Sequence, residues 1–269
     1  MRLWLTAGIL TIGVLASAQD LAESLARAGV TEFNAAYRAW DGDRFKSAAD
    51  QFRQATSNDP TRSLYFYWLG TAHFHQMLQL RSQGATRANQ AAAEAAMDAA
   101  LAALNTAVKL DDRHAESHAL LGTLYGMRIG GNLMRAVRFG PRVQKHRDRA
   151  LACGPENPRV LYLMGTCQFS TAKKPPALRE ALATLQAAEK WFAAEARQPA
   201  GPLDPRWGYS SDLTFIGRVY EGLGQQTEAE QYFRKALLLH PADHEAQAGL
   251  ARVTGQRGPQ TGTGPWDRR

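Results

Sequence analysis

Small residues recur along this sequence beside apolar and aromatic residues that are spaced as on one face of a helix. The clearest example has the i, i+3, i+4, i+7 spacing and consists of Leu213, Ile216, Gly217 and Tyr220. Gly224 ends this first helical pattern. A second pattern follows, with Ala229, Phe233 and Ala236 on one face and Pro241 at its end. Because small residues let two helices approach closely, the segment predicts an antiparallel helix pair.

This pair resembles the tetratricopeptide repeat (TPR), in which an aromatic or apolar residue is followed by Leu-Gly, Tyr, Ala, Phe and Pro over 34 residues. Only the opening Trp is replaced, by Leu213. Looser copies of the signature precede it. They contain Ala36, Ala48, Phe52, Ala55 and Pro60; Phe66, Leu69, Gly70, Ala100, Leu104 and Ala107; His118, Leu121, Gly122, Tyr125, Ala150 and Pro155; and Leu161, Met164, Gly165, Ala181, Leu185 and Ala188. The sequence therefore predicts an all-α fold, a right-handed TPR-like solenoid of about five antiparallel helix pairs.

The units are longer than the standard repeat. Ala36 and Gly70 are 34 positions apart, but the following anchor glycines are separated by 52, 43 and 52 residues. The Ala-rich run from 91 to 103 favours a long helical hairpin with Gly84 near its tip. In the third unit, Gly130-Gly131 and Gly140-Pro141 predict a broken helix between 128 and 145. In the fourth, the prolines at 199, 202 and 205 predict an ordered connector that leads to Trp207.

The two ends of the chain are predicted to differ from the repeat domain at 19–254. Arg2, an apolar run from 3 to 15, and Ala16-Ser17-Ala18 resemble a signal peptide at 1–18, with cleavage after Ala18. We therefore expect a periplasmic or secreted protein. Residues 242–253 predict a capping helix over the last unit. Residues 255–269 are rich in Gly, Pro, Thr and Arg and predict a disordered tail.

TPR arrays bind peptides along a concave surface that is lined by the first helix of each pair. The resemblance implies a partner-binding groove containing Tyr67, Phe74, Glu116, Arg159, Tyr162, Phe169, Arg218 and Glu221. Phe33, Tyr37 and Trp40 would take the same role in the first unit, where the turn at 41–43 makes the register insecure. The two arginines could anchor carboxylates. The alternative is that the aromatic residues pack beneath the inserted segments.

A basic stretch interrupts the third unit and is interleaved with apolar residues. The predicted basic surface consists of Arg128, Arg135, Arg138, Arg142 and Lys145. Such a segment could lie on an anionic membrane surface, and exposed basic and apolar side chains side by side would favour this interpretation. The alternative is a packed helix with a solvated basic face. The formal net charge of +7 favours anionic partners, but an exported chain without a binding module does not favour nucleic acid.

The sequence contains no recognisable catalytic, phosphate-binding or metal-binding motif. His114, Glu116 and His118 lack the zinc-protease order, in which Glu directly follows the first His. Cys153 and Cys167 could form a disulfide in an oxidising compartment, but their helical contexts favour free thiols. We therefore predict neither a cofactor nor a metal.

The predicted function is an exported scaffold for protein–peptide interaction. The alternatives are an enzyme with a site near Trp207 and Arg159, and a peripheral membrane-associated assembly factor.

Overall fold

The computed structural model describes residues 5–255, with side chains from residue 18 onward. This part of the chain consists of eleven α-helices and contains no β-strand. In chain order they are α1 (Leu5–Ala39), α2 (Gly42–Asn58), α3 (Ser63–Ser82), α4 (Arg87–Leu110), α5 (Ala115–Ile129), α6 (Leu133–Cys153), α7 (Pro158–Thr171), α8 (Pro175–Glu195), α9 (Tyr209–Gly222), α10 (Gln226–Leu239) and α11 (His244–Val253). The tail predicted to be disordered lies almost entirely outside the described residues.

The helices pack as five consecutive antiparallel pairs, from α1–α2 to α9–α10, and α11 covers the last pair. The predicted all-α array of about five helix pairs with a capping helix is confirmed. The anchor glycines explain how closely the paired helices approach. A Cβ atom added at Gly165 would lie 2.6 Å from the side chain of Leu185, and one added at Gly217 would lie 2.8 Å from the ring of Phe233. Only glycine allows these crossings without displacement of the partner side chain.

The enlarged second unit is a long helical hairpin, as predicted. Helices α3 and α4 contain 20 and 24 residues, whereas α9 and α10 contain 14 each. Gly84 lies in the short turn between them with a φ of +107°. Because a residue with a side chain rarely adopts this backbone conformation, glycine suits the tip.

The third unit contains the predicted broken helix, but the break occurs at only one of the two glycine-containing sites. The chain does turn at Gly130-Gly131, where both residues have positive φ. However, α6 continues through Gly140 and Pro141. Pro141 lies on the exposed side of the helix. The carbonyl of Val137, which loses its helical hydrogen bond there, can be hydrated instead, and the helix persists.

The core consists of the inward faces of all five pairs. Its largest fully buried side chains are aromatic residues and methionines, among them Trp68, Trp207, Tyr65, Tyr67, Phe33, Phe45 and Phe52. Cys153 and Cys167 are not bridged. Within the described part of the chain, no helix combines the length and apolar character needed to cross a bilayer.

Candidate functional site

The connector, residues 196–208, crosses the concave surface of the array. Trp207 is 1% exposed, and its indole N–H donates a hydrogen bond of 3.0 Å to the hydroxyl of Tyr67 on α3. The indole of Trp68 in turn donates to the carbonyl of Leu203 at 3.0 Å. Arg206 donates to the carbonyl of Glu195, which attaches the connector to the end of α8, and to the carbonyl of Gln198 within the connector itself. The connector therefore plugs the part of the concave surface that is formed by α3 and α7.

Beneath the plug, Arg159 stands between two carboxylates. Its Nε donates to Glu116 at 2.8 Å, and its terminal nitrogens donate to Glu195, at 3.1 Å for Nη1. Nη1 also donates to the carbonyl of Trp207 at 3.3 Å. Glu116 accepts further hydrogen bonds from Asn157 at 2.9 Å and from the hydroxyl of Tyr67. Every charged group of this buried network therefore has a partner.

The titration properties of the network follow from its burial and its pairing. Burial alone would raise the pKa of the Glu116 carboxyl, but the charge of Arg159 and three hydrogen bonds outweigh it and lower the pKa. Burial disfavours the Arg159 cation, yet Glu116 and Glu195 raise the pKa of its guanidinium above the usual value. Burial and the Glu116 charge raise the pKa of Tyr67 well above its ordinary range. The network therefore holds a fixed ion pair at neutral pH.

The predicted groove residues do not line one accessible surface. Tyr67, Glu116, Arg159 and Tyr162 are brought together, but all four are buried under the connector. The burial of Tyr67 and Tyr162 matches the alternative, in which the aromatic residues pack beneath an inserted segment. Phe74 is buried separately. The structure also places Phe169 against Arg218, whose guanidinium lies 5.1 Å from the ring centroid, and pairs Glu221 with Arg252 at 2.7 Å.

The first and last helix pairs meet in what we call the seam. His240, at the end of α10, donates to the carbonyl of Arg38 at 2.7 Å and stacks on the ring of Tyr37 with centroids 5.6 Å apart. The hydroxyls of Tyr37 and Ser211 are 2.7 Å apart. Trp40 lies 5.6 Å from His244. The array therefore closes on itself through side-chain contacts between α1 and α9–α11.

The seam encloses a cleft beside the plug. The seam cleft has a volume of about 50 Å³ and is lined by Tyr37, Trp40, Leu78, Tyr162, Ser211, Thr214, Phe215, His240, Asp243, His244 and Glu245. Its charged groups are already engaged. Asp243 accepts from Thr214 at 2.8 Å and caps α11, while Glu245 pairs with Arg218 at 3.3 Å. The groups left to contact a ligand are therefore the aromatic rings of the cleft and the polar atoms at their edges.

Trp40, which lines this cleft, has an unusual backbone conformation. Among the described non-glycine residues, only Trp40 has a positive φ, +53°. Non-glycine residues pay roughly 1–2 kcal/mol to adopt the left-handed region. Its indole N–H donates to the hydroxyl of Ser82 at 3.1 Å, which fixes the ring in place. Contacts of the ring with Phe45 and His244 add to this hydrogen bond and hold Trp40 in the left-handed conformation.

The residues considered for metal binding have other partners. His114 caps the start of α5, and Glu116 belongs to the Arg159 network. His118 and His146 are buried with their Nδ1 atoms 2.9 Å apart, and the other nitrogen of His118 lies 3.0 Å from the carbonyl of Asp112. No group of three potential metal ligands occurs among the described residues.

Comparison with known protein families identifies the family to which the chain belongs. The family model described as "Regulator of microtubule dynamics protein 1-3" (RMD1-3) matches residues 33–254. The chain belongs to the RMD1-3 family. No curated protein matches the chain significantly. The matched region of this RMD1-3 member begins within α1 and ends just after α11, so it includes the connector and both sides of the seam.

Solved structures place the same region among TPR proteins. TTC0263, a thermophilic TPR protein of Thermus thermophilus, has a TM-score of 0.60 and 17% identity, over 87% of this chain and 98% of its own. The structure of the APC/C hetero-tetramer Cut9-Hcn1 has a TM-score of 0.56 and 16% identity, over 89% of this chain and 39% of the matched chain. These likenesses confirm the predicted TPR fold of the RMD1-3 member.

Sequence reasoning proposed Tyr37 and Trp40 as concave-surface residues, but it missed two of their distant counterparts, His240 of the seam and Glu195 of the buried network. Glu195 lies at the end of an ordinary Ala-rich helix, and nothing in its sequence context indicates an ion pair with Arg159. His240 precedes the proline that ends the last unit, and no local pattern connects it with α1. The prolines of the connector did signal order, and Trp207 was predicted to follow them.

Proposed function

We propose that this protein is a non-catalytic, exported scaffold that holds a protein partner through the seam cleft. The observation that carries the proposal is the ring-lined seam cleft, one wall of which is Trp40 with its left-handed backbone conformation. The TPR fold supports a protein-binding role, because preorganised helix pairs lose little conformational entropy when a partner docks. The signal-peptide-like start of the sequence supports export to the periplasm or the medium.

The volume of the seam cleft limits what can enter it. An apolar cavity of about 150 Å³ accommodates benzene, whereas this cleft encloses about 50 Å³. A small aliphatic side chain of the partner fits this space, but an aromatic ring requires the walls to move. Because Asp243 and Glu245 are already engaged, we expect contact with the tyrosine and histidine edges to orient the partner segment. The plug excludes a long peptide from the rest of the concave face.

Site-specific photo-crosslinking tests this function. A photoreactive phenylalanine analogue replaces Trp40 in one variant and Trp191, on α8 outside the cleft, in the control. Each protein is purified from irradiated envelope fractions. A protein adduct formed from position 40 and absent from position 191 supports binding at the cleft. Adducts at both positions, or at neither while both variants are folded, would reject it.

A third protein carries the analogue at position 40 together with Tyr37→Ala. The substitution removes one wall of the cleft and leaves the crosslinking position unchanged. Loss of the adduct, with an unchanged circular dichroism spectrum, assigns recognition to the cleft. An adduct of undiminished yield would show that position 40 merely lies near a partner that binds elsewhere.

A further inference from the structure

The first two turns of α6 expose large apolar side chains to solvent. Leu133, Met134 and Val137 are 78%, 80% and 73% exposed, and Pro141 is also exposed. At about 100° of rotation per residue, these four positions lie within an arc of about 100° on the helix surface. They form a continuous apolar strip.

A basic strip lies directly beside it. Arg135, Arg138, Arg142 and Lys145 occupy the next arc of about 80° on the same helix. None of the four forms a salt bridge within the described chain. The guanidinium groups of Arg138 and Arg142 lie 5.2 and 5.8 Å from the ring centroid of Phe139, so they contact an aromatic ring and are not neutralised by a carboxylate of the described chain. Of the predicted basic surface, only Arg128 is paired, with Asp98.

The remaining face of α6 fixes its orientation. Phe139, His146 and Ala150 are buried, and Phe139 and His146 stack on Tyr125 of α5. This packing prevents the helix from rolling to hide its apolar strip. The helix is therefore divided into a buried strip, an exposed apolar strip and a basic strip between them.

We propose that α6 docks this protein on an anionic lipid bilayer. The apolar strip enters the boundary between headgroups and acyl chains, and the basic strip meets lipid phosphates. Charge complementarity favours this occupant, because four unpaired cations flank the apolar residues. The acidic groups facing this region are few: Glu94 lies in the groove between α4 and α6, and Asp148 lies further along the exposed face, bonded to Gln144.

A folded protein partner fits the strip less well. Four side chains supply roughly half of the ~800 Å² that each partner of a stable protein interface buries. The strip is also convex, whereas anchoring residues of a protein interface are usually received by a pocket. A bilayer needs no complementary pocket and tolerates basic and apolar side chains side by side.

Vesicle sedimentation of the purified full chain tests the proposal. Vesicles of phosphatidylcholine alone are compared with vesicles containing about 30% phosphatidylglycerol. We expect binding to depend on phosphatidylglycerol and to weaken with salt. Binding through the apolar residues 3–15 would not depend on lipid charge, and substitutions within α6 separate this helix from the other basic residues of the chain.

Two variants of α6 are paired with matched controls. Arg135→Glu/Arg138→Glu reverses two charges, and Leu133→Ser/Val137→Ser removes apolar area; each should weaken binding at least tenfold. Lys173→Glu/Lys174→Glu makes the same charge change elsewhere. Leu238→Ser/Leu239→Ser removes exposed leucines of α10, which are 83% and 52% exposed. Neither control should alter binding.

Three results would overturn the proposal. The first is equal sedimentation with both vesicle types, and the second is unchanged binding by folded α6 variants. The third is a wild-type dimer, measured by light scattering, that Leu133→Ser/Val137→Ser converts to a monomer. That last result would assign the strip to a contact between two copies of the chain.

Discussion

The paired histidines between α5 and α6 make stability depend on pH in a way that one substitution can isolate. His146 is 7% exposed and hydrogen-bonded to His118 at 2.9 Å. Burial, together with the neighbouring charges of His118, Lys145 and Arg142, lowers the pKa of His146 to about 4. Replacing it with glutamine removes the titration but keeps an amide that can hydrogen-bond to His118. We therefore compare wild type with His146→Gln at pH 7 and pH 5.

The sign and size of the effect follow from linkage. In the unfolded chain a histidine has a pKa near 6.5, so between about pH 6.5 and 4 the unfolded state binds more protons. A histidine with a lowered folded pKa therefore stabilises the protein at neutral pH, and this contribution is lost as the pH falls. For a folded pKa of about 4, the loss between pH 7 and 5 is about 2 kcal/mol. Partial screening by solvent and coupling to His118 reduce the expected loss to about 1–2 kcal/mol.

Urea unfolding followed by tryptophan fluorescence measures the quantity required. The free energy of unfolding is determined for both proteins at both pH values. The wild type should lose about 1–2 kcal/mol more than His146→Gln between pH 7 and 5. Using the difference cancels other titrating groups, including the second buried histidine with a pKa near 4, His75. Parallel pH dependences of the two proteins would refute a buried neutral His146.

Four further substitutions probe three buried features and one open helical position. Asp212 is fully buried with both carboxylate oxygens unpaired, and burial raises its pKa well above the usual value. Stability should therefore fall as the pH rises above about 4, and urea unfolding should show Asp212→Asn gaining up to about 1.4 kcal/mol on wild type per pH unit. Arg159→Met leaves the buried Glu116 carboxylate without its cation and should lower the free energy of unfolding by about 3–5 kcal/mol in the same assay. A loss below about 1 kcal/mol would contradict a closed network. Gly165→Ala places a Cβ 2.6 Å from Leu185 of α8 and should lower the free energy of unfolding by about 1–3 kcal/mol. Gly140→Ala adds a Cβ in open space and should raise the free energy of unfolding by about 0.5–1 kcal/mol. Thermal melts of the two variants and wild type test this order.

The sequence predicted the features that local patterns encode. Gly217, Tyr220 and Phe233 identify a helix pair because each helix must place small and large residues at fixed intervals to pack on its partner. Gly84 identifies the hairpin tip for a similar local reason. Pro141 misled the prediction, because the cost of proline in a helix depends on whether the freed carbonyl reaches water. Exposure is a property of the fold, and the sequence does not display it.

The candidate site could be predicted only in part, since its decisive contacts join distant segments. Tyr67, Glu116 and Arg159 were correctly grouped on the first helices of successive units. Whether they faced solvent depended on Trp207, which reaches Tyr67 across 140 positions. The seam depends on His240 and Arg38, which are 202 positions apart. Repeat periodicity describes neighbours along the array, and it carries no information about how its two ends meet.

The closure of the array through the seam has a consequence for how such a protein can change. An open solenoid lengthens by duplicating a unit, because each unit touches only its neighbours. Here an additional helix pair would separate His240 from α1 and break the contacts of the seam. The number of units is therefore fixed by geometry, and new length can enter only within a unit. The long α3–α4 hairpin and the connector are insertions of that permitted kind.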